Sequence, residues 1–286
     1  MGNRTGIFRN CLLLGKLNIM IPVSLSGFTG YFLYRPHFSS GLFLVTGGIL
    51  FMAITASVIN QLQEIETDKK MNRTKGRPLP SGTISVVAAL IFAVLSFITG
   101  ILLLLLAGSI PGIVLSIITI IWYNGIYTYL KRITPYAVLP GAVTGALPPL
   151  IGWVAAGGEP FSISIILLQT LFLMGQLPHF WLLLMKYGDE YSSAGLPSLT
   201  SVMSRRRISF LVIAFVMVSA GTAVSILLSG LVHSSIMAVS LLLASGLLVI
   251  MFLSFREGKD PARYSLVLNV YFLLVMILLI SDRIIS

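Results

Sequence analysis

Nine apolar stretches, each close to the ~20 residues that cross a bilayer as a helix, recur along this 286-residue chain at about 17–35, 40–60, 84–107, 110–129, 136–156, 162–185, 209–229, 234–253 and 264–281. No other feature restricts the fold so strongly. Inside a membrane every backbone N–H and C=O must be satisfied within its own segment, so such stretches become helices. With 56% hydrophobic and only 10% charged residues, a soluble domain is excluded. The expectation is an all-α membrane protein with one transmembrane domain over 1–286 and two longer motif loops at about 60–82 and 186–207. The one cysteine, Cys11, excludes a disulfide framework or a Cys-based metal cluster.

The charges fix an orientation. All but Arg35 and Arg283 of the 19 Lys and Arg fall at the N-terminus or in alternate loops, those after spans two, four, six and eight. By the positive-inside rule the N-terminus and those loops are cytoplasmic and the C-terminus is outside. Arg4 and Arg9 could mark a signal peptide, but no A-x-A-like site follows, so an uncleaved cytoplasmic end is expected. The net charge of +10 does not point to nucleic acid, because the cations are spread over short loops and membrane-lipid headgroups account for them. Most acids share the cytoplasmic side, so chemistry is expected there, in a prokaryotic cell membrane.

The densest charge cluster runs from Asn60 to Pro80. Asn60, Glu64 and Asp68 recur every four residues, which on a continuing helix sets them along one face. Oxygen donors so placed suit Mg²⁺, which takes a few carboxylates together with phosphate oxygens and water. A solvated charge cluster is the plain alternative. Glu66 lies off that face and suits a pairing with Lys69 or Lys70. Arg73, Lys75 and Arg77 offer forked and point-charge donors to a phosphate, ahead of a rigid turn at Pro78–Gly82.

Four further groups stand out. Lys186, Asp189, Glu190 and Tyr191 place acids beyond the sixth span, where a second acidic site could join the first in clamping a diphosphate. Asp189 and Glu190 are adjacent, so they cannot share one helical face, and either could be the metal ligand. Tyr127, Lys131 and Arg132 end the fourth span, where they could line a cationic transition state and its leaving group or form an ordinary interfacial belt. His179 lies inside the sixth span next to Pro178 and needs a reason to be there. Gly141 and Gly145 allow close helix contact, and Pro148-Pro149 is expected to break the fifth span.

The pattern at Asn60, Glu64 and Asp68 within nine spans resembles the UbiA-type intramembrane prenyltransferases. Three stretches narrow the resemblance to the haem O synthase branch. They are Asp68 to Gly82, Tyr127-Thr128-x-x-Lys131-Arg132 with Gly141 to Trp153, and Pro178-His179-Phe180-Trp181 leading to Glu190-Tyr191 and Pro197. It covers roughly residues 16–200; the last three helices match in hydropathy.

The resemblance implies nine helices around a central cavity, with Mg²⁺ on Asn60, Glu64 and Asp68 holding farnesyl diphosphate. It implies that Arg73, Lys75 and Arg77 steady the leaving diphosphate. Glu190 matches the acid of the family's Asp-Tyr pair, and Glu at 64 and 190 keeps the carboxylate on a longer arm. The acceptor would be haem B (protoheme IX), whose vinyl group takes the farnesyl group, and His179 would contact haem iron or pack between helices. A haem-handling membrane protein such as haem A synthase would be a partner. Two alternatives remain: the same chemistry on an aromatic or quinone-precursor acceptor, and a transporter with a metal site at one face. The lack of an acid at mid-membrane weighs against ion-coupled transport.

Overall fold

The computed structural model describes residues 9–255 and 259–286; Arg4, Arg256, Glu257 and most of the expected cytoplasmic N-terminus lie outside them. Among the described residues nine long helices follow in order: α1 Leu17–Tyr34, α2 Ser40–Gln63, α3 Val86–Leu106, α4 Ile110–Leu130, α5 Val138–Ala155, α6 Ile163–Ser193, α7 Arg205–Leu228, α8 Ser235–Leu253 and α9 Pro261–Ile285. Eight of them are long and apolar enough to cross a membrane; α1, which carries Asn18 and several hydroxyls, is the ninth.

Local chemistry sets the helix starts. Ser39, Ser85 and Ser204 each accept the backbone N–H three residues on, and Asp260 caps α9 just before Pro261. Consecutive helices pack on one another, and α9 returns to α1, closing a ring. Across the ring α1 also meets α5, and α6 meets α9. The outer face of α3 exposes Val87, Ile91, Leu95 and Leu102, as a lipid-facing surface requires. The ends carrying Lys16, Glu64, Lys131 and Glu190 gather at one end of the bundle. At the other, the fully buried Asp282 carboxylate accepts the N–H groups of His233 (2.9 Å) and Ser234 (2.7 Å), anchoring the start of α8.

The backbones of α1 and α5 are in direct contact. A Cβ at Gly30 would strike the Pro149 carbonyl, and one at Gly152 the Gly27 carbonyl. Small residues let the two backbones touch, the usual source of helix association in lipid. Gly152→Ala is therefore expected to lower the melting temperature in detergent and cost about 1–3 kcal/mol or more. An unchanged melting curve would show that the two helices can part without loss.

Three expectations fail locally. Pro148 and Pro149 do not break α5, which runs through them to Ala155. The N–H groups missing at both prolines leave carbonyls one turn earlier without helical partners, yet packing of α5 on α1, α4 and α6 holds its course. Residues 186–193 are not loop but the last turns of α6, a 31-residue helix far longer than the expected span. The long amphipathic extension keeps its helix because Leu184, Met185 and Gly188 are buried against neighbours. Finally, α2 does not continue through Asp68. It ends at Gln63; Glu64 takes φ −113° and ψ 10°, and a short helix, Ile65–Lys70, follows.

Candidate active site

The break at Glu64 leaves its carboxylate and its neighbours facing inward. Asn60, Glu64 and Asp68 are 2%, 6% and 1% exposed, although they stand at the polar end of the bundle. Buried charges need partners. Glu64 is paired with Nζ of Lys131, the residue that follows α4, and Asp68 accepts from Nη1 of Arg77 at 2.6 Å. Thr74 Oγ1 donates to the Asp68 carbonyl at 2.9 Å, which folds the following loop back over the acid. That loop is self-braced: Ser81 Oγ donates to the Arg77 carbonyl at 2.7 Å, and the Pro78 carbonyl accepts from Ile84 N and Thr83 Oγ1. Gly82 turns the chain at φ +75°. Arg77 is thus held at the site by a rigid turn.

A third cation joins from α1. Lys16 caps that helix in a left-handed conformation, φ 48°, at the start of the span. Burial pushes its ammonium down to about 7, helped by Arg77 and Lys131 and opposed by Asp68 and Glu64. Burial also holds Lys131 below its ordinary value, with Glu64 opposing. Two buried carboxylates and three half-buried basic groups thus share one cluster, near neutrality and ready to gain charge from an anion. A diphosphate entering here should protonate Lys16. The expected result is proton uptake on binding inorganic diphosphate with Mg²⁺ at about pH 8, approaching one proton per site. Calorimetry in buffers of different ionisation enthalpy measures it, and its absence in Lys16→Met assigns it. Equal uptake by wild type and variant would contradict the assignment.

Below the cluster α4 presents Tyr123 stacked on Tyr127, ring centroids 5.4 Å apart, and Phe180 of α6 stands 6.3 Å beyond. Lys131 Nζ lies 5.4 Å from the Tyr127 ring. Gly141 makes room for this shelf: a Cβ there would sit 2.7 Å from the Tyr127 ring. Gly145 likewise yields to the Gln176 side chain. The arrangement is an acid–base cluster backed by aromatic faces.

Other candidates fall in different places. Glu190 accepts the Arg73 backbone N–H at 3.1 Å, tying the loop after Asp68 to α6, while the adjacent Asp189 is exposed. Arg73 lies 5.0 Å over the Tyr187 ring, with Lys186 on the same ring. Tyr191 is half-buried near the cluster, close enough to feel the charges of Arg73, Glu64 and Arg77. Lys75 is exposed and bonds Asn72 at 2.8 Å, outside the cluster. Arg132 donates to the Gln63 carbonyl and caps the C-terminus of α2, beside an open cleft of about 490 Å³ that it lines with Gln63 and Glu66. Glu66 is solvated and pairs with Lys69 at 2.7 Å. His179 Nδ1 lies 3.3 Å from Ser265 Oγ of α9, a hydrogen bond between helices.

Among the described residues no three His, Cys, Asp or Glu side chains gather closely enough to cage a metal. Of the two alternative acids beyond the sixth span, Asp189 is exposed and Glu190 is bonded to the Arg73 N–H. Mg²⁺ bound with a polyphosphate does not need such a cage: one or two carboxylates suffice, with phosphate oxygens and water completing the shell. The hard oxygen donors at 60, 64 and 68 fit that requirement.

Residues 21–276 match the family model described as "UbiA prenyltransferase family". The chain belongs to the UbiA prenyltransferase family. Its curated relatives include a protein named protoheme IX farnesyltransferase from Oleidesulfovibrio alaskensis, 32% identical over 96% of both chains. Another of that name, from Geobacter sulfurreducens, is 37% identical over 71% of this chain and 74% of its own. Among solved structures, a UbiA homolog from Archaeoglobus fulgidus bound to GPP and Mg²⁺ superposes with a TM-score of 0.76, at 14% identity over 96% of this chain and 98% of that one. At that identity the likeness carries the UbiA fold.

In the sequence Lys16 stands only among the basic residues of the N-terminal side. Its one local signal is the Gly15-Lys16 break just before an apolar run, which places a cation at a helix start, where it is otherwise disfavoured.

Proposed function

We infer that this UbiA-family protein transfers a farnesyl group from farnesyl diphosphate to a vinyl group of haem B. The observation that carries the diphosphate half is the burial of Glu64 and Asp68, each against its own cation, with Lys16 beside them. The relatives named protoheme IX farnesyltransferase support the acceptor. A bound Mg²⁺, with Asn60, Glu64 and Asp68 as oxygen donors, would supply Lewis-acid charge to the diphosphate.

The chain's own residues do the rest. Lys16, Lys131, Arg77 and the guanidinium of Arg73 face the diphosphate, and their positive charge favours departure of its oxygen with the C–O electron pair. The farnesyl carbon so freed lies against the faces of Tyr127, Tyr123 and Phe180, whose quadrupoles stabilise a cation and whose bulk excludes water. The vinyl π electrons then form the new C–C bond. Water adds to the resulting haem-side cation and loses a proton, leaving a hydroxyethylfarnesyl group. Glu190 holds the loop over the cluster while this occurs. The cluster end faces the cytoplasm, in keeping with the basic loops there, and a downstream haem-modifying enzyme such as haem A synthase would take the product.

The acceptor is tested by diphosphate release from membranes containing the protein, farnesyl diphosphate and Mg²⁺. Haem B should stimulate release. Stimulation by an aromatic acid with haem B inert would move the protein to the second reading, prenylation of an aromatic or quinone-precursor acceptor.

A further inference from the structure

The fourth helix contains a π-turn over Trp122–Tyr127, one residue out of α-helical register. Such turns cost hydrogen-bond geometry and recur at functional sites. Here the shift has a definite product. Thr128 N–H bonds the Tyr123 carbonyl instead of that of Asn124, which leaves the Asn124 carbonyl open to a side chain. Thr128 Oγ1 donates to Tyr123 O at 2.8 Å, and Gln63 Nε2 of α2 donates to Asn124 O at 3.2 Å. The first link lies beside Asn60. Thr128 is fully buried, and its Oγ1 also receives Asn60 Nδ2 at 3.0 Å.

A threonine hydroxyl has one proton. With that proton on Tyr123 O, Oγ1 can only accept from Asn60, so the amide nitrogen must face it and Oδ1 must point the other way. We propose that Thr128 is a positioning residue that fixes the orientation of the Asn60 amide so that its oxygen is offered to the metal–diphosphate site. The π-turn is the backbone device that brings the hydroxyl into register. Without Thr128 the amide could turn its NH₂ toward the site, replacing a donor oxygen with a group that repels a cation.

This rests on the reading of Asn60, Glu64 and Asp68 as the metal–diphosphate site, and the test separates the two. Thermal stabilisation of the purified full-length protein is measured against Mg²⁺ at fixed inorganic diphosphate, with the Mg²⁺ dependence of turnover alongside. Wild type should be stabilised; if it is not, the underlying site reading fails. Thr128→Val and Thr128→Ala should need about 10–100-fold more Mg²⁺ for the same effect, the range typical of lost partners of metal ligands. Their KM for farnesyl diphosphate at saturating Mg²⁺ should stay near wild type. Thr128→Ser keeps the hydroxyl and should respond as wild type. Valine or alanine variants with the wild-type Mg²⁺ response, or a folded serine variant that has lost it, would overturn the inference.

Discussion

Asp68→Asn is expected to lower turnover by about 10²–10³-fold or more, the scale seen when one preorganised electrostatic contact to a transition state is lost. Asp68 is 1% exposed and holds Arg77 at 2.6 Å, so the change removes a carboxylate from the site and unpairs a cation in the same step. Asparagine keeps the volume and can still accept from Arg77, which limits the structural cost. The melting temperature should therefore fall much less than the activity. Excess Mg²⁺ should not restore kcat, because the missing group is a charged donor, not a loosely filled site. Turnover near wild type in Asp68→Asn would remove Asp68 from the chemistry.

The second large effect is on stability. In the Lys131–Glu64 pair the side chains are 17% and 8% exposed. Removing one partner of such a pair strands the other charge and costs about 3–5 kcal/mol, whereas removing both can be nearly neutral. Lys131→Met should thus melt well below wild type, and Lys131→Met/Glu64→Gln should recover most of the loss. Both variants should stay inactive, since each lacks a group facing the diphosphate. Chemical denaturation in detergent with parallel turnover measures the two readouts. Additive losses in the double variant would show that the pair is not coupled in the folded protein.

Much of this architecture is legible in the sequence because its cause is local and strong. A bilayer demands long apolar helices, and basic loops demand one polar end, so the spans and the gathering of charges at one end can be read directly. The four-residue spacing of Asn60, Glu64 and Asp68 identifies three residues that are all buried together, although their helix breaks at Glu64. What escapes is set by partners distant in sequence. Lys131 reaches Glu64 and Thr128 reaches Asn60 across two helices, and no periodicity predicts which residue of α4 meets which of α2. The π-turn defeats helical spacing outright, since it shifts the register at the place where Thr128 must face Asn60. Pro148-Pro149 misleads for the opposite reason: in lipid, helix packing sustains a path that a soluble helix would abandon. Lys75 and Arg132 illustrate a further limit. A cation in a motif and a cation at a site look alike until one is seen bonding Asn72 and the other capping α2.

Joining a farnesyl group to haem leaves a signature in mass. The most direct measurement is the mass of the haem extracted after membranes containing the protein are incubated with haem B, farnesyl diphosphate and Mg²⁺. A haem heavier by one farnesyl group and one water, formed by wild type and absent with Asp68→Asn, is the predicted result. Haem B recovered unchanged while farnesyl diphosphate is consumed on another acceptor would contradict it.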